Sequence, residues 1–571
     1  MDQFRNRLKR LRIGAQPAGA RKISVRDLVP LATATGATGL PAARGVPSIE
    51  LTDTDPRDFI GGKHRDNMLE HIKLFYNRES CSSSSLQRRR DTQNALPTRI
   101  PPMALTRHPS GGKTRTLKEI GLALRQERIF SLFISFNDLT AYDAAKEHDR
   151  TWLQSLLLRI GWAAAKADVR RSVGEDFSRW LTEVEVTEDT ICKWLGDAVC
   201  VLLVDELNKL IVGEGREEFP DEGKSVAAFL RTQFVDKHGR YLVFSSHFTE
   251  TGSKLTVFMD SLSNRDVLRP LLPVIKSVDE AAAVSQEAAS ASKLSYLGLT
   301  PALVHKAFAV ETQPVALCVN QIFDKLPKPL FTEATLRAVI MLALDGAEEY
   351  VLALGGWAAA LDAFVVRPPH IGTPSYTWSP CFLAAACARL AASGELRKSL
   401  RQGLWRIASA LQQLAETTEG SGVQWESVCA AALILRMMQS DVGDYSNLHP
   451  DAGAILPPAV FNGCAFGGAF RPTDPDGFMH ALPTDRSPNI ALLRRTVEDE
   501  ISKPSYKEQG LDKGIMALFV QPAVSNFPWY DMFIFVCRDG QVVEIWGYQS
   551  KTGSSTPADA QTPVSKQVDK N

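Results

Sequence analysis

Two clusters of residues in this 571-residue chain have types and spacing suited to chemistry on phosphorus. The first is 106-TRHPSGGKT-114, which closes on Gly111, Gly112, Lys113 and Thr114, the tail of a phosphate-binding loop of the pattern G-x4-G-K-[ST]. In such a loop the backbone N–H groups wrap the phosphates, the lysine reaches the β and γ phosphates, and the hydroxyl binds Mg2+. Arg107 stands where the pattern has its first glycine. Its charge is available to the phosphates, as is that of Arg265 and Arg269. The run 201-VLLVDEL-207 supplies the complementary half. A buried strand ending in acids presents Asp205 to organise Mg2+ and Glu206 to polarise the attacking water. A further run, 241-YLVFSSH-247, ends in Ser245, Ser246 and His247, and we expect Ser246 at the γ-phosphate.

The second cluster lies in 527-FPWYDMFIFVCRDGQVVEIWGYQSKTG-553. Asp531 opens one strand, Arg538-Asp539-Gly540 makes a hairpin turn, and the returning strand ends in Gln549-Ser550-Lys551. Side chains two residues apart share a strand face, so Gln549 and Lys551 point the same way. Asp531 approaches that end across the hairpin. An acid and an amide oxygen suit Mg2+, and a lysine beside them orients water and steadies charge on phosphorus. Glu426, at the start of 425-WESVCAAALILRMM-438, is a candidate third ligand, with Glu498 and Glu500 as rivals. The same residues also suit an exposed hairpin edge guarded by charges, and spacing alone does not choose between the two.

The elements that must position these groups follow from the apolar pattern. The runs 102-PMALT-106, 129-IFSLFISF-136, 199-VCVLLVD-205 and 241-YLVFSSH-247 are short and wholly apolar in their centres, as strands buried on both faces are. Helical stretches such as 115-RTLKEIGLALRQE-127 and 151-TWLQSLLLRIGWAAAKA-167 alternate with them, which predicts an α/β parallel sheet with crossover helices over residues 101–275. Helices dominate residues 276–420, and residues 421–555 read as a C-terminal α/β domain of helix, irregular stretch, helix and three strands. Residues 1–60 are expected to be largely disordered, 61–100 to hold one helix and a polar linker, and 556–571 to form a polar tail.

Composition bounds the partners. The 65 basic and 65 acidic residues cancel, so a nucleic-acid partner has to be argued from a local site. The nine cysteines are scattered without a CxxC pair, which argues against a disulfide framework or a zinc site. No eighteen-residue apolar run predicts a membrane span. The piece 7-RLKRLR-12 reads either as a nuclear-localisation or phosphate-binding cluster or as a solvated basic arm.

Taken together, 107-RHPSGGKT-114, 201-VLLVDE-206, Glu426, Asp531 and 549-QSK-551 resemble the crinkler and RHS (retrotransposon hot spot) group of modular eukaryotic proteins, over about residues 100–555. That group couples a P-loop NTPase to a restriction-endonuclease-like domain, and its loop often carries an arginine and a doubled glycine. The resemblance implies ATP and Mg2+ as cofactors, DNA as substrate and the nucleus as location. It also implies a nuclease built on Glu426, Asp531, Gln549 and Lys551, with the glutamine in place of the usual second acid. The chain departs from the group in lacking a ubiquitin-like header and an LFLAK-type motif, and 354-LGGWAAAL-361 lacks the Pro and Arg of the group's GG-x-P-R-A-L helix start. An ATP-regulated nuclease is the leading expectation. A nucleotide-dependent switch whose C-terminal domain only binds, and an inert diverged copy, are the alternatives.

Overall fold

Four of the apolar runs become one parallel sheet. A computed structural model describes residues 20–31, 59–76, 101–127, 129–137, 140–210, 221–237, 239–246, 268, 270–285, 291–309, 314–326, 328–344, 350–366, 374–416, 421–442, 464–472, 489–511, 513–523 and 530–550. The chain divides into two units, Met1–Ile275 and Lys276–Asn571.

In the first unit the strands are β1 (Arg21–Lys22), β2 (Met103–Thr106), β3 (Ser131–Ser135), β4 (Val184–Glu185), β5 (Cys200–Asp205) and β6 (Arg240–Ser246). The principal sheet has the order β2-β6-β5-β3, all parallel. Its helices include α1 (Gly62–Tyr76), α2 (Lys113–Gln126), α3 (Trp152–Ala164) and α4 (Asp221–Leu230). The period of two along each strand sorts the core. Val201 and Leu203 join Leu117, Ile120 and Leu124 of α2 and Met68, Leu69 and Ile72 of α1 on one face. Leu202 and Val204 face Leu156 and Ile160 of α3 and Val226 and Leu230 of α4 on the other. Both faces are therefore covered, as a parallel sheet requires.

The segment after β3 is fixed by a buried ion pair. Arg159 on α3 and Glu147 are both fully buried, 2.9 Å apart. Arg159 also donates to the carbonyls of Thr140 and Ala141, at 2.8 and 2.9 Å, and its guanidinium lies 4.6 Å from the Phe136 ring centroid. Residues 20–31, expected to lack structure, are instead part of this unit. β1 pairs in parallel with β4, Ile23 and Leu28 are buried in the α3-side core, and Trp194 Nε1 donates to the Val29 carbonyl at 2.7 Å.

The second unit is mainly helical up to a hairpin of β7 (Leu361–Val366) and β8 (Pro374–Trp378). Then come α5 (Pro380–Ala392), α6 (Lys398–Glu416) and α7 (Ser421–Val442). The segment 354–361, read as a helix start, is a 3-10 stretch Leu352–Ala360 broken at Gly355, and it runs straight into β7. A four-stranded sheet follows, of β9 (Ala465–Phe470), β10 (Ile515–Val520), β11 (Met532–Arg538) and β12 (Gln541–Tyr548), in the order β12-β11-β10-β9. β9 runs parallel to β10, and β10, β11 and β12 form an antiparallel meander. Leu493, Val497 and Ile501 of α8 (Ile490–Ile501) pack on Met516, Leu518 and Phe533. α6 and α7 both contact β9, where Gly403 on α6 lies against Phe466. The helices of residues 276–420 and the C-terminal sheet therefore belong to one unit. Among the described residues no helix is long and apolar enough to cross a membrane.

Candidate functional site

The carboxyl ends of β2, β6 and β5 converge on the phosphate-loop motif, the place where parallel α/β sheets hold ligands. β2 ends at Thr106, and α2 begins at Lys113 with Gly112 as its N-cap. Gly112 has φ 84°, in the left-handed region that an L side chain avoids, which turns the loop so that the amino end of α2 opens the helix. Unpaired N–H groups and the helix dipole make that end attractive to anions.

Lys113 is 3% exposed, and its Nζ donates to the carbonyls of Arg107 and His108, both at 2.9 Å. Burial pushes its ammonium down to about 8, opposed by the charges of Glu206 and Asp205. Asp205, at the end of β5, is fully buried. Its carboxylate accepts from three hydroxyls: Thr114 Oγ1 at 2.9 and 3.1 Å, Ser245 Oγ at 2.7 Å and Ser135 Oγ at 3.3 Å. Burial raises the Asp205 pKa, while the Ser245 and Thr114 hydrogen bonds and Lys113 pull it down.

Glu206 takes φ 53°, a left-handed conformation rare outside glycine, and its N–H is held by Ser245 Oγ at 2.8 Å. The carboxylate sits between two ammonium groups, Lys113 at 4.0 Å and Lys209 at 3.8 Å. Lys209 in turn donates to Asn137 Oδ1, just past β3.

Lys113, Thr114, Asp205 and Glu206 are thus brought together as the motif predicts. Arg107 and Ser246 take the following places. The Arg107 guanidinium donates to the carbonyls of Pro273 at 2.9 Å, Leu272 at 3.2 Å and Gly111 at 3.4 Å, and its charge is felt at Lys113. Its stem lies so close over Gly111 that a Cβ there would come within 2.5 Å of Arg107 Cγ. Residue 107 is also absent from the positive-φ positions, so its backbone makes no demand for glycine. Ser246 is buried beside Thr106 at the end of β6, and its neighbour Ser245 bonds Asp205 and the Glu206 N–H. Ser135, Asn137 and Lys209 were not singled out in the sequence. A polar residue at the end of each strand beside β5 is the signal that would have found Ser135. Arg265, Arg269 and His247 lie outside the described residues.

The donor set fits Mg2+ held with nucleotide phosphates: a carboxylate and a hydroxyl, both oxygen ligands, at the mouth of a loop that offers backbone N–H groups.

The second cluster forms in part. Asp531 precedes β11, and its N–H donates to the Tyr548 carbonyl at 2.7 Å, which locks the open end of the hairpin. Its carboxylate accepts the Ser550 N–H at 2.5 Å. Glu426, in the first turns of α7, is half-buried; burial raises its pKa first, and the Asp531 charge raises it further. Cys429, one turn on, shares the site. Burial pushes its thiol up, a hydrogen bond with Ser550 pulls it down, and Asp531 and Glu426 push it up again. Gln549 follows β12 and is half-buried, whereas Lys551 lies outside the described residues, as do residues 1–19 with 7-RLKRLR-12 and the linker 77–100. The rival acids are engaged elsewhere, Glu498 with Arg494 at 3.0 Å and Glu500 with Lys503. Among the described residues no group of three or more His, Cys, Asp or Glu side chains is arranged to hold a metal ion.

No protein-family model matches the chain, and no curated protein does. Solved structures do. A Walker-type ATPase of Pyrococcus abyssi is 11% identical with a TM-score of 0.33, over 59% of this chain and 99% of its own. The ORC2 protein of Aeropyrum pernix, solved in ADPNP–ADP complexes, is 11% identical with a TM-score of 0.27, over 61% of this chain and 99% of its own. At that distance the chain's own geometry has to carry the functional reading.

Proposed function

We propose that the first unit binds ATP with Mg2+ and hydrolyses it. The observation that carries this reading is the meeting of Lys113 and Thr114, at the start of α2, with Asp205 and Glu206 at the end of a strand two places away in the sheet. The amino end of α2 and the loop N–H groups receive the β and γ phosphates. Lys113 lies between that loop and Glu206 and neutralises charge on the leaving phosphate oxygens. Thr114 and Asp205 would hold Mg2+, which draws electron density from the phosphates when bound. Glu206 accepts a hydrogen bond from the attacking water and takes its proton as the bond to the γ-phosphorus forms and the bond to the β-γ bridging oxygen breaks. Ser245 fixes both acids at once.

The test is ATP turnover and ATP binding by Glu206→Gln and Lys113→Ala. Glu206→Gln should lower turnover by about a hundredfold or more with binding retained. Lys113→Ala should lose binding. Glu206→Gln turning over ATP at the wild-type rate would end this reading.

A second reading concerns the other unit. The Glu426–Asp531 pair at the open end of a β-hairpin favours Mg2+-dependent cleavage of DNA, with Gln549 and Lys551 as partners, as the crinkler and RHS resemblance implies. On this reading ATP regulates the nuclease and the protein works in a nucleus as an effector. Asp531→Asn should abolish plasmid cutting in Mg2+ and leave ATP turnover intact. Wild-type protein that leaves DNA uncut in both Mg2+ and Mn2+ favours the alternative, a nucleotide-dependent switch whose C-terminal domain only binds.

A further inference from the structure

Beside the acid pair, the same end of the C-terminal sheet gathers positive charge. β9 and β10 are parallel, so both end there, at Phe470 and Val520. β11 starts there, because Val520 pairs with Phe533, and β12 finishes there, because Met532 pairs with Tyr548. Arg471 and Gln521 are the next residues along β9 and β10, and the Gln521 N–H continues the ladder by donating to the Phe470 carbonyl at 3.0 Å. Extending the β10–β11 register by one pair sets Gln521 opposite Met532, next to Asp531. Arg406 reaches this edge from α6 and donates through Nη2 to Gln521 Oε1.

Arg406 is placed at a cost. Its Nε is buried and has no hydrogen-bond partner among the described residues. Burial and the nearby charge of Arg471 push its pKa down to about 10. Two guanidiniums that repel one another, with one N–H unsatisfied, are the arrangement an oxyanion relieves. Arginine's planar fork matches phosphate geometry. Arg471 is exposed, so such an anion can approach from solvent. Adjacent strands lie about 4.8 Å apart, so Arg471, just after β9, and Asp531, just before β11, are separated by roughly 10 Å along the edge. An anion on the arginines therefore sits beside the carboxylates and not on them. A free phosphate dianion gains from the arginines and is repelled by the acids. A phosphodiester, with one charge per phosphate, pays less of that repulsion and can run along the edge.

We propose that Arg406 and Arg471, with Gln521 as positioning residue, form a subsite for the backbone phosphate of a nucleic-acid strand, one step from the Glu426–Asp531 pair. It deepens the nuclease reading and rests on it for the role of the acids, but binding at the arginines requires no cutting.

The test uses the full-length chain and a fluorescein-labelled DNA oligonucleotide in EDTA, with anisotropy read across salt concentrations. Arg471→Ala should weaken binding about tenfold, the size expected for losing a charged hydrogen bond. It should also flatten the log-affinity against log-salt slope by about 0.7 to 0.9, the value for one lost phosphate contact. Arg406→Met should do the same. Because Arg406 is half-buried, the exposed Arg471 variant carries the test if Arg406→Met lowers the melting temperature. Unchanged affinity and slope for Arg471→Ala would overturn the subsite. Inorganic phosphate that displaces the oligonucleotide with an affinity matching it would overturn the phosphodiester assignment in favour of a free-phosphate site. The two readings also separate. Arginine-dependent binding in EDTA with no cutting in Mg2+ keeps the subsite and sinks the nuclease, whereas cutting indifferent to both arginine variants does the reverse.

Discussion

Thr114 Oγ1 donates to both carboxylate oxygens of Asp205, at 2.9 and 3.1 Å, although the strand that carries Asp205 is not the neighbour of the strand that leads into the loop. β6 lies between them, and its Ser245 bonds the same carboxylate at 2.7 Å. The intervening strand thus sets the distance between the loop and the Asp205 carboxylate. It also supplies the hydroxyl that keeps a fully buried acid satisfied.

Thr114→Ala removes one of those hydroxyls and, on the proposed reading, the hydroxyl ligand for Mg2+. Binding of a fluorescent ATP analogue in EDTA should stay close to wild type, because the loop N–H groups and Lys113 remain. The gain in affinity on adding Mg2+ should shrink about tenfold. Equal Mg2+ enhancement in both proteins would remove Thr114 from the metal site.

Lys113 predicts a pH dependence. Its folded-state pKa is lowered to about 8 from an ordinary value of 10.5. Between those values the unfolded chain binds a proton that the folded chain does not, so the stability of the ligand-free protein rises with pH across that window. On the proposed reading ATP binds the ammonium form, so its affinity should fall above about pH 8, approaching tenfold per unit. Lys113→Arg stays charged and should flatten that fall. Titration of ATP binding from pH 7 to pH 10, with urea unfolding in parallel, checks both signs.

Arg107→Ala separates two roles for the unusual residue in the loop. The guanidinium donates to Pro273, Leu272 and Gly111 carbonyls, so its loss should lower the melting temperature by a few degrees and change ATP affinity less than about threefold. An affinity loss of a hundredfold with an unchanged melting temperature would mean that Arg107 contacts phosphate.

The Arg159–Glu147 pair should be costly to break from one side. Arg159→Met leaves a fully buried carboxylate without its partner, at about 3 to 5 kcal/mol in urea unfolding. Pairing it with Glu147→Leu should recover part of that loss. A single variant as stable as wild type would show that Glu147 gains water in place of the guanidinium.

The strands of the parallel sheet were legible because burial on both faces demands unbroken apolar runs, and 201-VLLVDEL-207 shows its acid at the point where the run stops. β9 was not legible. In 464-CAFGGAF-470 two glycines interrupt the apolar residues, and the strand is stabilised by parallel pairing with β10, distant in sequence. β1 is two residues long and depends on β4, so no local pattern announces it. At the site, residue types named Lys113, Thr114, Asp205 and Glu206. The choice between Ser245 and Ser246 depends on which face of β6 turns toward β5, and the fates of Arg107 and Lys209 depend on side-chain reach, which spacing does not encode. Cys429 is one of nine scattered cysteines in the sequence, and only the approach of the hairpin end brings Ser550 to it.

The carbonyls that Arg107 grips belong to Leu272 and Pro273, almost the last residues before the chain passes into its second unit. The phosphate loop and the exit of the first unit are therefore hitched to one side chain. Any displacement of the loop would reach residues 272 and 273 through that one side chain and its two hydrogen bonds, without a relay through the core.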